Sequence, residues 1–219
     1  DRFGVAQPNI QILKGRGQMG QIMVEMPGIK EPERVRKLLT GSANLQFWET
    51  HNISALPMET AQRIMAHMQI PAGAGCIVGY TRSKADTAAI NRIVAEESDR
   101  LPKDLRMAWS VKEETMTQRN AQGDVETVQL GYALYLLKAK AGGPSMSGDV
   151  IKTAKADFNE KHQPIVSMTM NTRAANEWAK LTEQNVGKPV AIVLDGYVYS
   201  APNVNEKIAG GTSQISGSF

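Results

Sequence analysis

The sequence predicts an α+β fold: a ferredoxin-like split β-α-β base, residues 1–52 and 140–219, carrying an inserted α/β head subdomain over 53–139. Three observations lead there. Each end of the chain alternates β-branched, period-2 runs with a segment of helical period. The middle has separate apolar faces of its own. The last thirty residues then contain a hairpin, with Val190–Leu194 and Tyr197–Ser200 on either side of Asp195-Gly196. An Asp-Gly pair takes the two positive φ angles of a type I′ turn, the turn whose twist suits two antiparallel strands.

In chain order, Asn9–Leu13 reads as a strand and Gln21–Met26 as its partner, stopped by Pro27-Gly28. Between them Gly15, Gly17 and Gly20 match the dinucleotide-binding spacing G-x-G-x-x-G. That fingerprint needs a helix opening at its third glycine, whereas a strand follows here, so a hairpin loop is expected. Glu31-Pro32-Glu33 starts a short helix, with proline in the first turn and acids at the positive end of the dipole, and Gly41 ends it. Ala43–Glu49 alternates as the next strand, with Leu45 and Phe47 on one side.

The insertion begins with a helix at Met58–Met68, whose stripe is Met58, Ala61, Met65 and Met68. Cys76–Tyr80 is a short strand. Ser83, three residues before Asp86, caps a longer helix with Ala89, Ile90, Ile93, Val94 and Leu101 as its apolar stripe. Val111–Thr115 and Val125–Val128 flank the polar turn Asn120–Asp124, a second hairpin.

The second half of the base opens on Ala133–Leu137, with a helix near Ile151–Phe158 and an alternating strand over Gln163–Met170. Asn171-Thr172 caps a helix with Ala175, Trp178, Ala179 and Leu181 on one face, closed by Gly187. After the Asp195-Gly196 hairpin, Pro202 ends the pairing, Gly210-Gly211 reverses the chain, and Thr212–Ile215 makes a last strand.

The run from Ala191 to Phe219, A-I-V-L-D-G-x-V-x-S-A-P followed by I-x-G-G and I-x-G-x-F, resembles the end of the first large extracytoplasmic domain of the SecD family. SecD is the accessory membrane subunit of the bacterial Sec protein-export machinery. Leu181-Thr-Glu-Gln-Asn-Val-Gly-Lys188 has the family's wording, as do the strand ending in Pro27-Gly28, the acidic-proline helix start and the A-x-L-x-F at Ala43. Trp178 stands where the family usually has phenylalanine, and Lys161-His162-Gln163 where it usually has glycine. Residues 16–50 and 133–219 carry the resemblance, and the middle is placed by position alone.

The resemblance implies a non-enzymatic domain on the periplasmic face of the bacterial cytoplasmic membrane, joined to it by flanking helices. It would engage unfolded preprotein leaving the channel and assist export driven by the proton-motive force. The implied partners are the Sec channel and a SecF-like subunit or fused half. An alternative from another class is a periplasmic porter domain of an RND-type transporter binding small apolar solutes. That role needs an aromatic-lined pocket, and aromatic residues make up 5% of the chain.

Composition sets the remaining bounds. The 25 basic and 22 acidic residues give +3 and are mixed along the chain, without the clustered basic face that nucleic acid requires. No apolar run approaches the ~18 residues of a membrane helix. A start at Asp1 without methionine reads as a piece excised from a longer protein. The single Cys76 forms no internal disulfide and reads as a buried, inert thiol.

No catalytic, metal or cofactor constellation is expected. His51, His67 and His162 lie at irregular spacing, and Glu96-Glu97 and Glu113-Glu114 are adjacent pairs whose members point apart on either regular backbone. Met58, Met65 and Met68 are candidate preprotein contacts, because methionine adapts to many partners. Exposed sheet edges offer a second route, since an extended peptide adds there without its sequence being read. Asn52, Pro57, Gly142, Gly143 and Gly148 are candidate hinge positions on loop composition, and Asp195, Gly196, Gly210 and Gly211 are structural turn residues.

Overall fold

A computed structural model describes residues 9–15, 18–25, 44–71, 75–120, 123–159, 162 and 164–216. The chain divides into two compact units, residues 1–43 and 44–219.

In the first unit, β1 (Asn9–Gly15) pairs antiparallel with β2 (Gln18–Glu25), from Asn9 opposite Glu25 to Gly15 opposite Gln18. Gly20 lies inside β2 and opens no helix, so the dinucleotide fingerprint lacks the geometry it needs. The helix expected after Glu31-Pro32-Glu33 and the stop at Pro27-Gly28 fall outside the described residues.

The second unit is built on a nine-stranded sheet whose main order is β13-β12-β3-β8-β5-β4. In chain order its strands are β3 (Leu45–Thr50), β4 (Ile70–Pro71), β5 (Ile77–Thr81), β6 (Leu105–Trp109), β7 (Glu114–Arg119), β8 (Val125–Lys138), β9 (Met146–Ser147), β12 (Val190–Leu194) and β13 (Tyr197–Ser200). A separate three-stranded sheet joins β10 (Ile151–Phe158), β11 (Pro164–Met170) and β14 (Thr212–Ser216). The α-helices are α1 (Met58–Met65), α2 (Lys84–Glu96) and α3 (Thr172–Gln184).

The register of β3 on β8 sets the layers. Glu49 stands opposite Lys138 and Thr50 opposite Leu137, so the face carrying Phe47 continues into the face carrying Leu134 and Leu136. α1 and α2 cover one part of that face through Ile64, Ile90 and Ile93, joined by Leu56 from the turn before α1, and α3 covers another through Ala174, Trp178 and Leu181. Both helices whose caps were read from sequence are capped as expected. Ser83 Oγ accepts from the N–H groups of Ala85 and Asp86, and Asn171 Oδ1 accepts from that of Ala174.

On the opposite face the sheet curls on itself. Trp48, Ala108, Ala133, Tyr135, Leu137, Ala191, Val193 and Val198 form one cluster. Ser110, just past β6, bridges Val198 in β13, and the Val111 N–H donates to the Val198 carbonyl at 2.9 Å. The ring β13-β12-β3-β8-β6 is thereby closed around this cluster. β8 is buried on both faces here, which is why its sequence runs apolar from Leu130 to Leu137 with no polar alternation.

Several expectations need correction. Ile151–Phe158 is the strand β10, paired with β11 from Ile151↔Met170 to Phe158↔Pro164, and is not a helix. Its alanines and lysines favour a helix in isolation, but pairing with β11 decides the backbone, and the lysines suit an open sheet edge. The ferredoxin-like detail is not what the described residues form: β11 and β12, joined through α3, lie in separate sheets. β14 likewise joins β11 and not the hairpin that precedes it. The mixed α/β character stands.

Two strands read as separate, Val125–Val128 and Ala133–Leu137, are one 14-residue strand bent at Gly131, where φ is +105°. β6 was missed, because Leu105–Trp109 carries Arg106 and follows a polar loop that hides its alternation.

Candidate functional site

α1 turns a different face to the core than its methionine spacing suggests. Thr60 and Ile64 are fully buried, Ala61 and Met68 pack half-buried on the core beneath α1 and α2, and Met65 is half-buried. Met58, in the first turn, is 77% exposed. The buried stripe is thus shifted from Met65 to Ile64, and a threonine takes a core place that polarity alone would deny it. α1 is fastened to α2 by Arg63, which donates to Glu96 at 2.7 Å and to Glu97, and by Arg100, 3.3 Å from both Glu59 and Glu97. Hydrogen bonds to Glu96 and then Glu97 raise the Arg63 guanidinium further above its ordinary value.

Asp195 and Gly196 have φ of +50° and +86°, the type I′ pattern, and Asp195 Oδ1 accepts from the Asn44 N–H at 3.1 Å. Gly211 has φ +66°, and a Cβ there would lie 2.8 Å from that of Ala175, while Gly210 has open space.

Each candidate hinge position also has a local role. Asn52 caps a single 3-10 turn, and Pro57 precedes α1. Gly142 and Gly143 belong to a turn closed by two hydrogen bonds between Lys140 and Gly143, and Gly148 lies against Leu45.

Two clefts flank the strands near the chain's end. One, about 320 Å³, opens over Trp178 between α3, β12 and β14. Trp178 Nε1 donates to Ser213 Oγ at 2.7 Å, and its ring meets Phe47 edge-on with centroids 5.0 Å apart.

The other cleft, about 380 Å³, lies where β6 and β13 meet, between residues 110–115 and 198–202. Tyr135 reaches it from the closed ring and donates its hydroxyl proton to Glu114 Oε1 at 2.5 Å. Burial, reinforced by Glu114, pushes the Tyr135 phenol well above its ordinary value, and burial raises Tyr80 as well. Burial also lifts the Cys76 thiol to about 11, so it is protonated and unreactive at neutral pH.

The histidines stay apart. His51 Nε2 lies 3.1 Å from Asp104, and His67 Nδ1 lies 3.5 Å from Asp86. Among the described residues no three His, Cys, Asp or Glu side chains converge as a metal site. No helix of the described residues is long and apolar enough to cross a membrane.

Comparison with known proteins gives the chain a family. A family model described as "SecDF, P1 head subdomain" matches residues 116–219, and one described as "Protein translocase subunit SecDF, P1 domain, N-terminal" matches residues 1–52. The protein translocase subunit SecD of Rhodothermus marinus is 34% identical over 99% of this chain and 39% of its own length. That of Magnetococcus marinus is 28% identical over the whole chain and 31% of its own length. The chain belongs to the SecD/SecDF family.

Within SecD it corresponds to the first periplasmic domain, P1, as the resemblance in the last thirty residues implied. The chain spans less than half the length of these relatives. A solved structure described as "Structure and function of a membrane component SecDF that enhances protein export" aligns with 98% of this chain and 72% of its own, at 27% identity and a TM-score of 0.43.

The match named for the SecDF head runs from β7 to the chain's end, whereas the sequence reading placed an insertion over 53–139. Met58, Met65 and Met68 lie outside both matched ranges. The cleft where β6 and β13 meet, with Glu114, Tyr135 and Tyr199, was not singled out from sequence. Its residues come from three separate strands, and the one available signal was the pair of aromatics, Tyr197 and Tyr199, on the outer side of a hairpin.

Proposed function

We propose that this SecD domain is a non-enzymatic module on the periplasmic face of the cytoplasmic membrane that engages unfolded preprotein as it leaves the Sec channel. Through the rest of its protein it works beside a SecF-like partner and the channel in export driven by the proton-motive force. The observation that carries the reading is the set of large apolar side chains left in water on otherwise polar elements: Met58 at 77%, Phe158 at 68% and Met116 at 47% exposure. They stand on three different elements, α1, β10 and β7, which suits brief, sequence-tolerant contacts better than one shaped pocket. Met65 and Met68 extend the α1 contact once a bound chain displaces their packing.

The porter reading calls for an aromatic-lined pocket, and the cleft over Trp178 has that one aromatic residue in its lining.

The test is an NMR titration of the chain, with methyl-labelled methionine, against reduced and carboxymethylated lactalbumin as the unfolded probe. Shifts at the Met58 and Met116 methyls are expected, with Met65 and Met68 following at higher ratios. A titration that leaves every methyl in place would sink the reading.

A further inference from the structure

The cleft between β6–β7 and β13 is an open seam. Ser110 and Val198 form a parallel bridge, and the Val111 N–H closes the last hydrogen bond of the seam on the Val198 carbonyl. From that point residues 111–115 and 199–202 continue in the same direction and separate around about 380 Å³ of space. One wall runs on into β7, which pairs with β8 along one edge and, among the described residues, with nothing along the other. The unpaired edge of β7 leaves its main-chain donors and acceptors open to an extended segment beside this space.

Three features distinguish this edge from that of β10. β10 carries Lys152 and Lys155, the kind of charge that keeps a neighbouring strand away, whereas β7 reads Glu-Thr-Met-Thr-Gln-Arg, without lysine or proline. The slot has apolar contact to offer from Val111, Tyr199 and Pro202. Its walls also hold Glu113 and Glu114 against one lysine, Lys112, and Ser200 Oγ is buried without a hydrogen-bond partner beside them.

We propose that this slot takes one extended segment of polypeptide as an added strand on β7, preferring apolar residues interrupted by a single lysine or arginine. The inference deepens the reading of the domain as a preprotein-engaging module and rests on it, since it names where and how a chain is held. Main-chain hydrogen bonds to β7 give the affinity and leave most side chains unread, and the apolar wall with Glu113 gives the preference. Glu113 is exposed at the slot and Glu114 already holds the Tyr135 hydroxyl, so Glu113 is the carboxylate that meets the incoming cation.

The experiment uses the whole chain and a fluorescein-labelled octapeptide of valine and threonine with one central lysine, read by anisotropy. Two altered peptides accompany it, one N-methylated at alternate residues and one with glutamate for lysine. The unmodified peptide is expected to bind at least tenfold tighter than either. Glu113→Lys, with near-UV circular dichroism unchanged, is expected to weaken it about tenfold and to reverse the preference toward the glutamate peptide. Equal binding of the N-methylated peptide would overturn the added strand. Indifference to Glu113→Lys, with binding lost in Met58→Ser, would overturn the site while leaving the module reading intact. Failure of both the octapeptide and carboxymethylated lactalbumin to bind would overturn both.

Discussion

At the scale of single residues, two adjacent glycines that read alike in sequence have different duties. Gly211 combines a φ of +66° with Ala175 standing 2.8 Å from where its Cβ would be, and its carbonyl accepts from the Met170 N–H at 2.7 Å. Gly210 has neither constraint. Gly211→Ala is therefore expected to lower stability by about 2–4 kcal/mol through backbone strain and overpacking, and Gly210→Ala to change it by under about 1 kcal/mol, measured by urea unfolding. The difference between them was not legible, because it depends on Ala175 of α3, far upstream in the chain. Cys76 makes a second residue-scale prediction. Its folded pKa of about 11 stands above the ordinary 9.0, so the neutral thiol favours the folded chain. That contribution is complete below pH 9 and is lost as pH rises toward 11. The urea midpoint should fall across that window more steeply in the wild type than in Cys76→Ala, and a thiol reagent at pH 8 should label Cys76 only after unfolding.

At the scale of elements, the caps and the Asp195-Gly196 hairpin could be read directly, since each is fixed by a few neighbouring residues and their own backbone needs. β10 could not. Lys152, Ala154, Lys155 and Ala156 favour a helix, and only the pairing with β11, itself dependent on β14 from the far end of the chain, makes them a strand. The seating of α3 shows the same dependence. Trp178 is buried against Phe47 of β3 and gives its indole N–H to Ser213 of β14, so one side chain ties the helix to both sheets. Trp178→Phe keeps most of the ring but leaves the buried Ser213 hydroxyl without its donor. It is expected to cost about 1–3 kcal/mol, part of which Ser213→Ala restores in the double variant. Equal costs in the presence and absence of Ser213 would show that ring volume alone matters. The candidate site was less legible than the fold for a related reason. Met58 is exposed as its position in the first turn allows, but the seam between β6 and β13 exists only once the sheet has curled, and no local pattern announces a closure between Ser110 and Val198.

At the scale of the whole molecule, the question is which stretch of chain can stand alone. The cluster inside the closed ring draws Trp48 from β3, Ala108 from β6, Tyr135 and Leu137 from β8, and Ala191, Val193 and Val198 from the terminal hairpin. β8 pairs with β3 at one end, and β3 pairs with β12 along its length. A fragment of residues 53–139 would thus contain β5, β6 and β8 but lose three strands of the ring, β3, β12 and β13, and leave the inner face of β8 in water. Burying a side chain of the size of Leu137 or Val193 stabilises by roughly 1.5–3 kcal/mol, so exposing one whole face forfeits more than the 5–15 kcal/mol by which a domain is usually stable. Residues 44–219 form one compact unit that holds the three core clusters of the described residues. The fragment 44–219 is expected to unfold cooperatively in urea with a near-UV signal from its tryptophans, and the fragment 53–139 to show neither. Cooperative unfolding of 53–139 would mean that α1 and α2, with the face of β8 beneath them, suffice as a core. In that case the closed ring would be an addition to that core and not its foundation.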